Sequence, residues 1–305
     1  VSKDCKALID LTRTYLREAS PAAVSGSQWS DAILTDYLNE AVVQLFGDIL
    51  EADEDYFGFY TDLDFVSGVA VYDLPPGFVR MQLVEYIAGG GRLPILEARA
   101  SDADPEGLGI GLGQASGQLY TYALYGDQIH FDPPSGGNVT AAVRMWHVRK
   151  PPDLIYGVAV AGTASTIRFQ NATTLTGVAA APNDDAYNTC WVSIVSGTGA
   201  GQRRRIADYS GANQTATVSP NWSTVPDTTS VYALETMIPE PYDRLPALLA
   251  AVFAYENIDQ DSSELKGRAN AMNDRLIAAV EQRTRTERRT EPWDPDDGVF
   301  PTAFA

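Results

Sequence analysis

The sequence predicts an α+β fold. Amphipathic helices at both chain ends form one helical bundle, a β domain and an inserted small β module lie between them, and an extended C-terminal arm follows. Three observations predict it. Apolar residues recur at helical spacing near each end of the chain. Short alternating segments, split by Gly, Pro and Asn turns, fill the middle. The last stretch, Glu291 to Ala305, holds Pro292, Pro295 and Pro301 and cannot be helical throughout.

The elements follow in order. Lys3 to Glu18 places Leu8, Ile9, Leu11, Tyr15 and Leu16 at helical spacing and ends before Ser20-Pro21. Ser30 suits an N-cap, and Asp31 in the first turn suits the helix dipole. The stripe Ile33, Leu34, Tyr37, Leu38, Ala41, Val42, Leu45, Phe46 and Ile49 then predicts a long second helix. From about Tyr60 the pattern changes. Strands are expected at Val69–Leu74, Val79–Ile87, Arg92–Ala98, Leu119–Leu124, Gln128–Phe131 and Val139–Val148. A lysine-poor block rich in Thr, Ala, Gly and Ser follows, with strands expected at Thr166–Phe169, Thr189–Val195, Gln202–Tyr209, Thr215–Val218 and Ser230–Leu234. Helix returns at Pro241, through Leu245, Leu248, Leu249, Val252 and Phe253. A second run carries Leu265, Ala269, Met272, Leu276 and Val280 beyond Asp259-Gln260-Asp261-Ser262-Ser263. The resulting organisation is 1–64 N-terminal helices, 65–156 β domain, 157–235 inserted β module, 236–290 C-terminal helices and 291–305 arm.

Composition narrows the function. The 305 residues carry 22 Lys plus Arg against 40 Asp plus Glu, a net charge of −18. That disfavours a nucleic-acid grip and a reader of anionic lipid. At 45% hydrophobic and 10% aromatic the chain can bury real cores. Cys5 and Cys190 are too few for a disulfide framework, and with two histidines they make no zinc site of standard spacing. Two free buried thiols are the expectation, and one long-range disulfide is the alternative. No apolar run approaches the ~20 residues of a bilayer span. Val1-Ser2-Lys3-Asp4 lacks a signal-peptide layout, so cytosolic synthesis is expected, with no membrane partner.

Catalytic signatures are missing. The chain has no phosphate-loop, zincin or nucleophile-elbow motif. Gly107, Gly109, Gly111, Gly113 and Gly117 fit a loop better than a cofactor cradle. His130 and His147 fit structural roles in strands. The carboxylates single out no glycosidase pair. Asn138, Asn171, Asn213 and Asn221 match the glycosylation pattern by chance in Thr- and Ser-rich segments. Arg203-Arg204-Arg205 is expected to pair with neighbouring carboxylates. The expectation is a non-enzyme with no cofactor and no metal.

Charge placement says more than charge total. No Lys or Arg lies between Arg17 and Arg80, whereas that span holds twelve acids. Asp31, Asp36, Glu40, Asp48, Glu51, Asp53, Glu54 and Asp55 lie on and just after the second helix. They predict a negative face that is simply solvated, repels polyanions or meets a basic partner. At the other end Arg283, Arg285, Arg288 and Arg289 crowd the close of the last helix, directly before an arm bearing Trp293, Phe300 and Phe304. Apolar pegs on an arm without its own core suit a binding role.

The layout resembles the head-to-tail adaptor (connector) proteins of tailed bacteriophages. The resemblance is carried by the helix Ala32–Leu50 and by Val71-Tyr72-Asp73-Leu74-Pro75-Pro76-Gly77-Phe78-Val79-Arg80-Met81. It continues in Tyr125-Gly126-Asp127-Gln128-Ile129-His130-Phe131-Asp132-Pro133-Pro134 and in Val143-Arg144-Met145-Trp146 running into Lys150-Pro151-Pro152-Asp153-Leu154. The return Ile238-Pro239-Glu240-Pro241-Tyr242-Asp243 completes it. In the insert, the segment from Val195 to Tyr209 and Pro220-Asn221-Trp222 resemble segments of phage structural proteins. The resemblance implies a virion protein of the neck. It would form a homo-oligomeric ring, typically dodecameric, that joins the portal protein to a tail nozzle, tail-tube or fibre protein and continues the DNA ejection channel. The eight acids would line that channel so that double-stranded DNA passes without specific binding. Arg285, Arg288, Arg289, Trp293, Phe300 and Phe304 would form a portal-binding arm. The rival is a receptor-binding or carbohydrate-binding virion protein, which predicts exposed aromatic platforms at Trp191 and Trp222.

Overall fold

A computed structural model describes residues 3–17, 29–88, 91–97, 120–174 and 177–288. Among these the chain is α+β, with four helices and two seven-stranded sheets.

The helices start where local chemistry lets them. Asp4 caps α1 (Cys5–Tyr15) by accepting from the Ala7 N–H at 2.8 Å, and Ser30 caps α2 (Asp31–Ala52) by accepting from the Ile33 N–H at 3.2 Å. Each side chain satisfies an amide the helix cannot. Leu34, Leu38, Ala41, Val42, Leu45, Phe46 and Ile49 form the buried stripe of α2. Asp53 follows α2 in extended backbone, and β1 (Gly58–Phe65) begins soon after. All of that strand but Phe65 lies inside the stretch 1–64 assigned to the N-terminal helices. Its inward residues Phe59, Thr61, Leu63 and Phe65 alternate, a period the neighbouring acid run obscures.

The first sheet has the order β1-β7-β3-β4-β5-β6-β2. Its remaining strands are β2 (Val71–Asp73), β3 (Phe78–Tyr86), β4 (Leu93–Glu97), β5 (Thr121–Tyr125), β6 (Gln128–Asp132) and β7 (Val139–Arg149). All pairs are antiparallel except β4–β5, where Leu96 sits opposite Thr121 in a parallel match. The sheet curls back on itself. Phe65 on its first strand stacks on Tyr72 of its last at 5.9 Å and meets Phe131 edge-on at 5.1 Å. The core thus enclosed includes Val84, Ile95, Ile129, Val143 and Met145.

The second sheet uses only residues from 156 to 234, in the order β8-β14-β11-β12-β13-β10-β9. Its strands are β8 (Tyr156–Val158), β9 (Ala161–Gly162), β10 (Thr166–Arg168), β11 (Trp191–Ser196), β12 (Arg203–Ser210), β13 (Thr215–Ser219) and β14 (Val231–Leu234). Five of them coincide closely with the segments expected from sequence. Their core is an aromatic stack: Phe169 lies 4.4 Å from Tyr232, and Tyr187 meets Tyr209 at 4.7 Å. Trp222 is buried in this core, and Trp191 is covered by the Arg203 guanidinium at 3.7 Å. Of the two aromatic platforms that a glycan reader would use, Trp222 is therefore closed, whereas Trp191 stays 37% exposed. Arg203 makes the expected carboxylate pair, with Glu235 at 2.5 and 2.7 Å. Arg204 instead donates to the Asn221 and Arg203 carbonyls and to Ser223 Oγ.

The chain then returns to its start. Helix α3 (Leu245–Glu256) begins four residues later than Pro241; Pro246 occupies its first turn, where a missing N–H costs nothing. Nearly every face of α3 is buried. It packs with α1, α2 and the β14 side of the second sheet in one cluster (Cys5, Leu8, Leu38, Ala233, Ala250, Ala254). A second cluster joins it to α2 and to α4 (Ser263–Arg288) through Leu45, Ile49, Leu248, Leu276 and Val280. Hydrogen bonds fix this closure. The Thr236 N–H donates to the Lys3 carbonyl at 3.0 Å, and the Lys3 N–H donates to Asp243 Oδ2 at 3.0 Å. Asn39 on α2 clasps the crossover between the sheets, accepting from the Leu154 N–H at 2.7 Å and donating to its carbonyl at 3.3 Å. Cys5 and Cys190 are buried free thiols, as expected.

Candidate functional site

The acid run of α2 divides once its partners are known. Asp31 is 8% exposed and accepts from Arg13 Nη2 at 2.6 Å, with Lys6 Nζ at 3.7 Å. It joins α1 to α2 in the interior, so it leaves the proposed channel lining. Asp48 is half-buried and accepts from Asn273 of α4 at 2.7 Å. Asp53 accepts from the Asp55 N–H at 3.1 Å. Glu54 pairs with Arg80; Asp55 lies 3.6 Å from the same guanidinium and accepts from Gln82 at 2.7 Å. Further on, Arg144 grips Asp62 with two bonds of 2.7 Å. The twelve acids are therefore not uncompensated as a group. The basic residues that answer them come from α1, β3 and β7, which lie outside the acid run in sequence.

What remains on α2 is an outward stripe. Asp36, Glu40, Val43, Gln44, Gly47 and Glu51 are exposed and recur at helical spacing. Its three carboxylates make no ion pair among the described residues. Partial burial, and then the charge of Asp153, raises the Asp36 carboxyl above its ordinary value. Among the described residues no group of three or more His, Cys, Asp or Glu comes together in a way that suits a metal.

The Arg-rich end of α4 is reached only in part. Arg283 lies over the Tyr56 ring at 5.2 Å, tying α4 to the turn after α2. Burial raises the Tyr56 hydroxyl, and the Arg283 charge offsets part of that. Arg285 and Arg288 belong to the closing turns of α4. Arg289, Trp293, Phe300 and Phe304 lie outside the described residues, as do the glycines from 107 to 117. No described helix is long and apolar enough to cross a membrane.

A family model described as SU10 adaptor protein matches residues 3–172, more than half of the chain. The match covers α1, α2, the whole first sheet and the first three strands of the second, and it stops before the rest of the insert and before α3 and α4. No curated protein matches the chain.

Proposed function

The chain belongs to the SU10 adaptor protein family, and from that premise we propose that it is a structural protein of the bacteriophage neck, an adaptor ring between portal and tail. The family match is the observation that carries this reading. In it, copies associate head to tail, each presenting two different flanks, and the cycle closes as a ring, dodecameric as is typical of such adaptors. The helices of the two chain ends act as one bundle at the wall of the channel. Asp36, Glu40 and Glu51, with Asp53, Glu54 and Asp55 around the helix end, face passing DNA; Asp48, bonded to Asn273 of α4, is left out. Their charge opposes the phosphates, so the genome slides without sticking. The β domain and the insert face outward or toward the tail component below. The protein works by position and contact, not by catalysis.

In this reading the arm from Glu291 to Ala305 extends onto the portal. Trp293, Phe300 and Phe304 supply apolar anchors, and Arg285, Arg288 and Arg289 steer the approach. Ordering such a segment costs entropy that the new contacts must exceed. Removing residues 291–305 is the test. The truncated chain is expected to keep its unfolding midpoint and lose co-sedimentation with portal particles. Undiminished co-sedimentation would refute this use of the arm.

A further inference from the structure

Away from the helices, the first sheet leaves a strand edge open. β1 and β2 stand at its two ends, and each pairs with a strand on one side only. The register assigns the main chain of β1. The Phe57 carbonyl accepts from the Arg149 N–H at 3.1 Å, and Gly58, Phe59 and Tyr60 then sit opposite Val148, His147 and Trp146. In an antiparallel ladder, bonded pairs alternate with unbonded ones. Phe59 and Thr61 therefore spend their main-chain groups on β7, whereas Gly58, Tyr60 and Asp62 turn theirs away from it. The Gly58 N–H donates to the Asp55 carbonyl at 3.0 Å. The N–H and C=O of Tyr60 and Asp62 face no strand and no hydrogen-bond partner among the described residues.

This open stretch lines a cleft of about 580 Å3 between the two sheets, and all five residues from Gly58 to Asp62 reach it. Side chains alternate along a strand, so one face would contribute every second residue; a run of five marks the edge itself. The two ends of the curled sheet meet further on, where Phe65 stacks on Tyr72 and the Val66 N–H donates to the Tyr72 hydroxyl at 2.9 Å. They part at the cleft. Pro75 and Pro76, just past β2, stand there instead of a pairing strand. Proline has no N–H, so this segment cannot donate to the Tyr60 and Asp62 carbonyls. Natural sheets blunt an open edge with charge, a bulge or a cover. The one charge on the stretch is Asp62, and Arg144 of β7 holds it with two bonds of 2.7 Å. Tyr60 is 54% exposed, with Trp146 at 5.2 Å from its ring. The recess decides the occupant. An edge strand of a second copy would bring its whole sheet, against walls at Pro75, Pro76 and, on β12, Arg205 and Ala207. A single extended segment fits, five residues spanning about 17 Å at ~3.4 Å each. Its N–H and C=O groups complete the ladder, and a β-branched side chain packs on Tyr60.

We propose that the Gly58–Asp62 edge of β1 binds an extended, proline-free segment of a different protein as an added strand, held by main-chain hydrogen bonds to Tyr60 and Asp62. The site goes beyond the adaptor reading and needs no ring, so its failure and the failure of that reading are separate results.

The test uses the full-length protein with nitrogen-labelled amides. The probes are acetyl-Thr-Val-Thr-Val-Thr-amide and a twin with Pro-Pro at its third and fourth positions. Successive N–H groups of a strand point to opposite edges, so one of the two lost donors faces β1 in either register. The first peptide is expected to shift the Tyr60 and Asp62 amide signals saturably and to slow their exchange with solvent. The twin is expected to bind about fivefold more weakly, as loss of a net hydrogen bond implies. Tyr60→Pro and Tyr60→Ala both remove the ring, but only proline removes the outward N–H, and the bonds of Phe59 and Thr61 to β7 stay. Tyr60→Pro is therefore expected to bind the first peptide about fivefold more weakly than Tyr60→Ala. If Tyr60→Pro does not fold, the two peptides on the unaltered protein decide alone. Equal binding of the peptides, equal binding by the two variants, or no saturable shift would each overturn the proposal. So would Tyr60 and Asp62 amides already protected in the free protein. Protection at every protein concentration would mean that this chain fills its own cleft, and protection that grows with concentration that a second copy does.

Discussion

Asp31 and Asp36 look alike in sequence, five residues apart on one acidic helix. One anchors Arg13 in the interior and the other faces outward. Nothing local distinguishes them, because the deciding partner sits on a different helix. The distinction is measurable. Asp31→Ala strands a buried guanidinium and is expected to cost roughly 3–5 kcal/mol. Asp36→Ala is expected to leave stability within about 0.5 kcal/mol, as ordinary surface changes do. Denaturant midpoints of the two variants would check this, and equal losses would contradict it. His147 gives a pH signature. Burial holds its imidazole below the ordinary value, with the Arg149 charge adding to the effect and the Met145 carbonyl opposing it. Below pH ~6.5 the unfolded chain takes up this proton and the folded one does not. Stability should therefore fall as pH drops from about 6.5 toward the depressed folded value. His147→Gln should flatten that part of the curve in thermal scans between pH 7.5 and 5. An unchanged slope would mean that other groups carry it.

At the scale of elements, the sequence was most informative where one period ran long. The α2 stripe and its Ser30 cap could be read directly, and so could most strands of both sheets. β1 was obscured because its two-residue alternation follows at once on Asp53-Glu54-Asp55, and a boundary drawn by charge hides a boundary drawn by pattern. The start of α3 was misplaced for a related reason. A proline can open a helix, but Pro241 and Pro246 both qualify, and the turn that the Tyr242 and Leu245 amides make decides between them. The insert shows how a turn depends on its residue type. Gly197 has φ +79°, and a Cβ there would lie 1.9 Å from the Thr229 carbonyl oxygen. Gly197→Ala combines a left-handed backbone with a main-chain clash, so it is expected to destabilise by more than about 1 kcal/mol. Its unfolding midpoint would show this, whereas Gly47→Ala, on the open side of α2 with nothing within 4 Å, should be neutral or slightly stabilising.

Over the whole molecule, the two chain ends meet because segments 230 or more residues apart share cores and hydrogen bonds, as Lys3 does with Asp243. The helical periods at the two ends suggested this meeting, but pairings such as Asn39 with Leu154 leave no mark in the sequence. The inter-sheet cleft is the clearest case. Its residues sit near 60, 75, 147, 188 and 205 and form no motif, so only the folded chain sets them around one strand edge. The overall charge takes on a similar refinement. Much of the acid run is spent on internal pairs, and the stripe of Asp36, Glu40 and Glu51 is what α2 leaves facing outward. The account stands or falls on assembly. Mass photometry and negative-stain microscopy of the full chain, alone and with portal particles, test it most directly. The account predicts closed rings of the protein seated on the portal, with density continuing the channel. A species that stays unassembled and unbound in the presence of portal particles would contradict it.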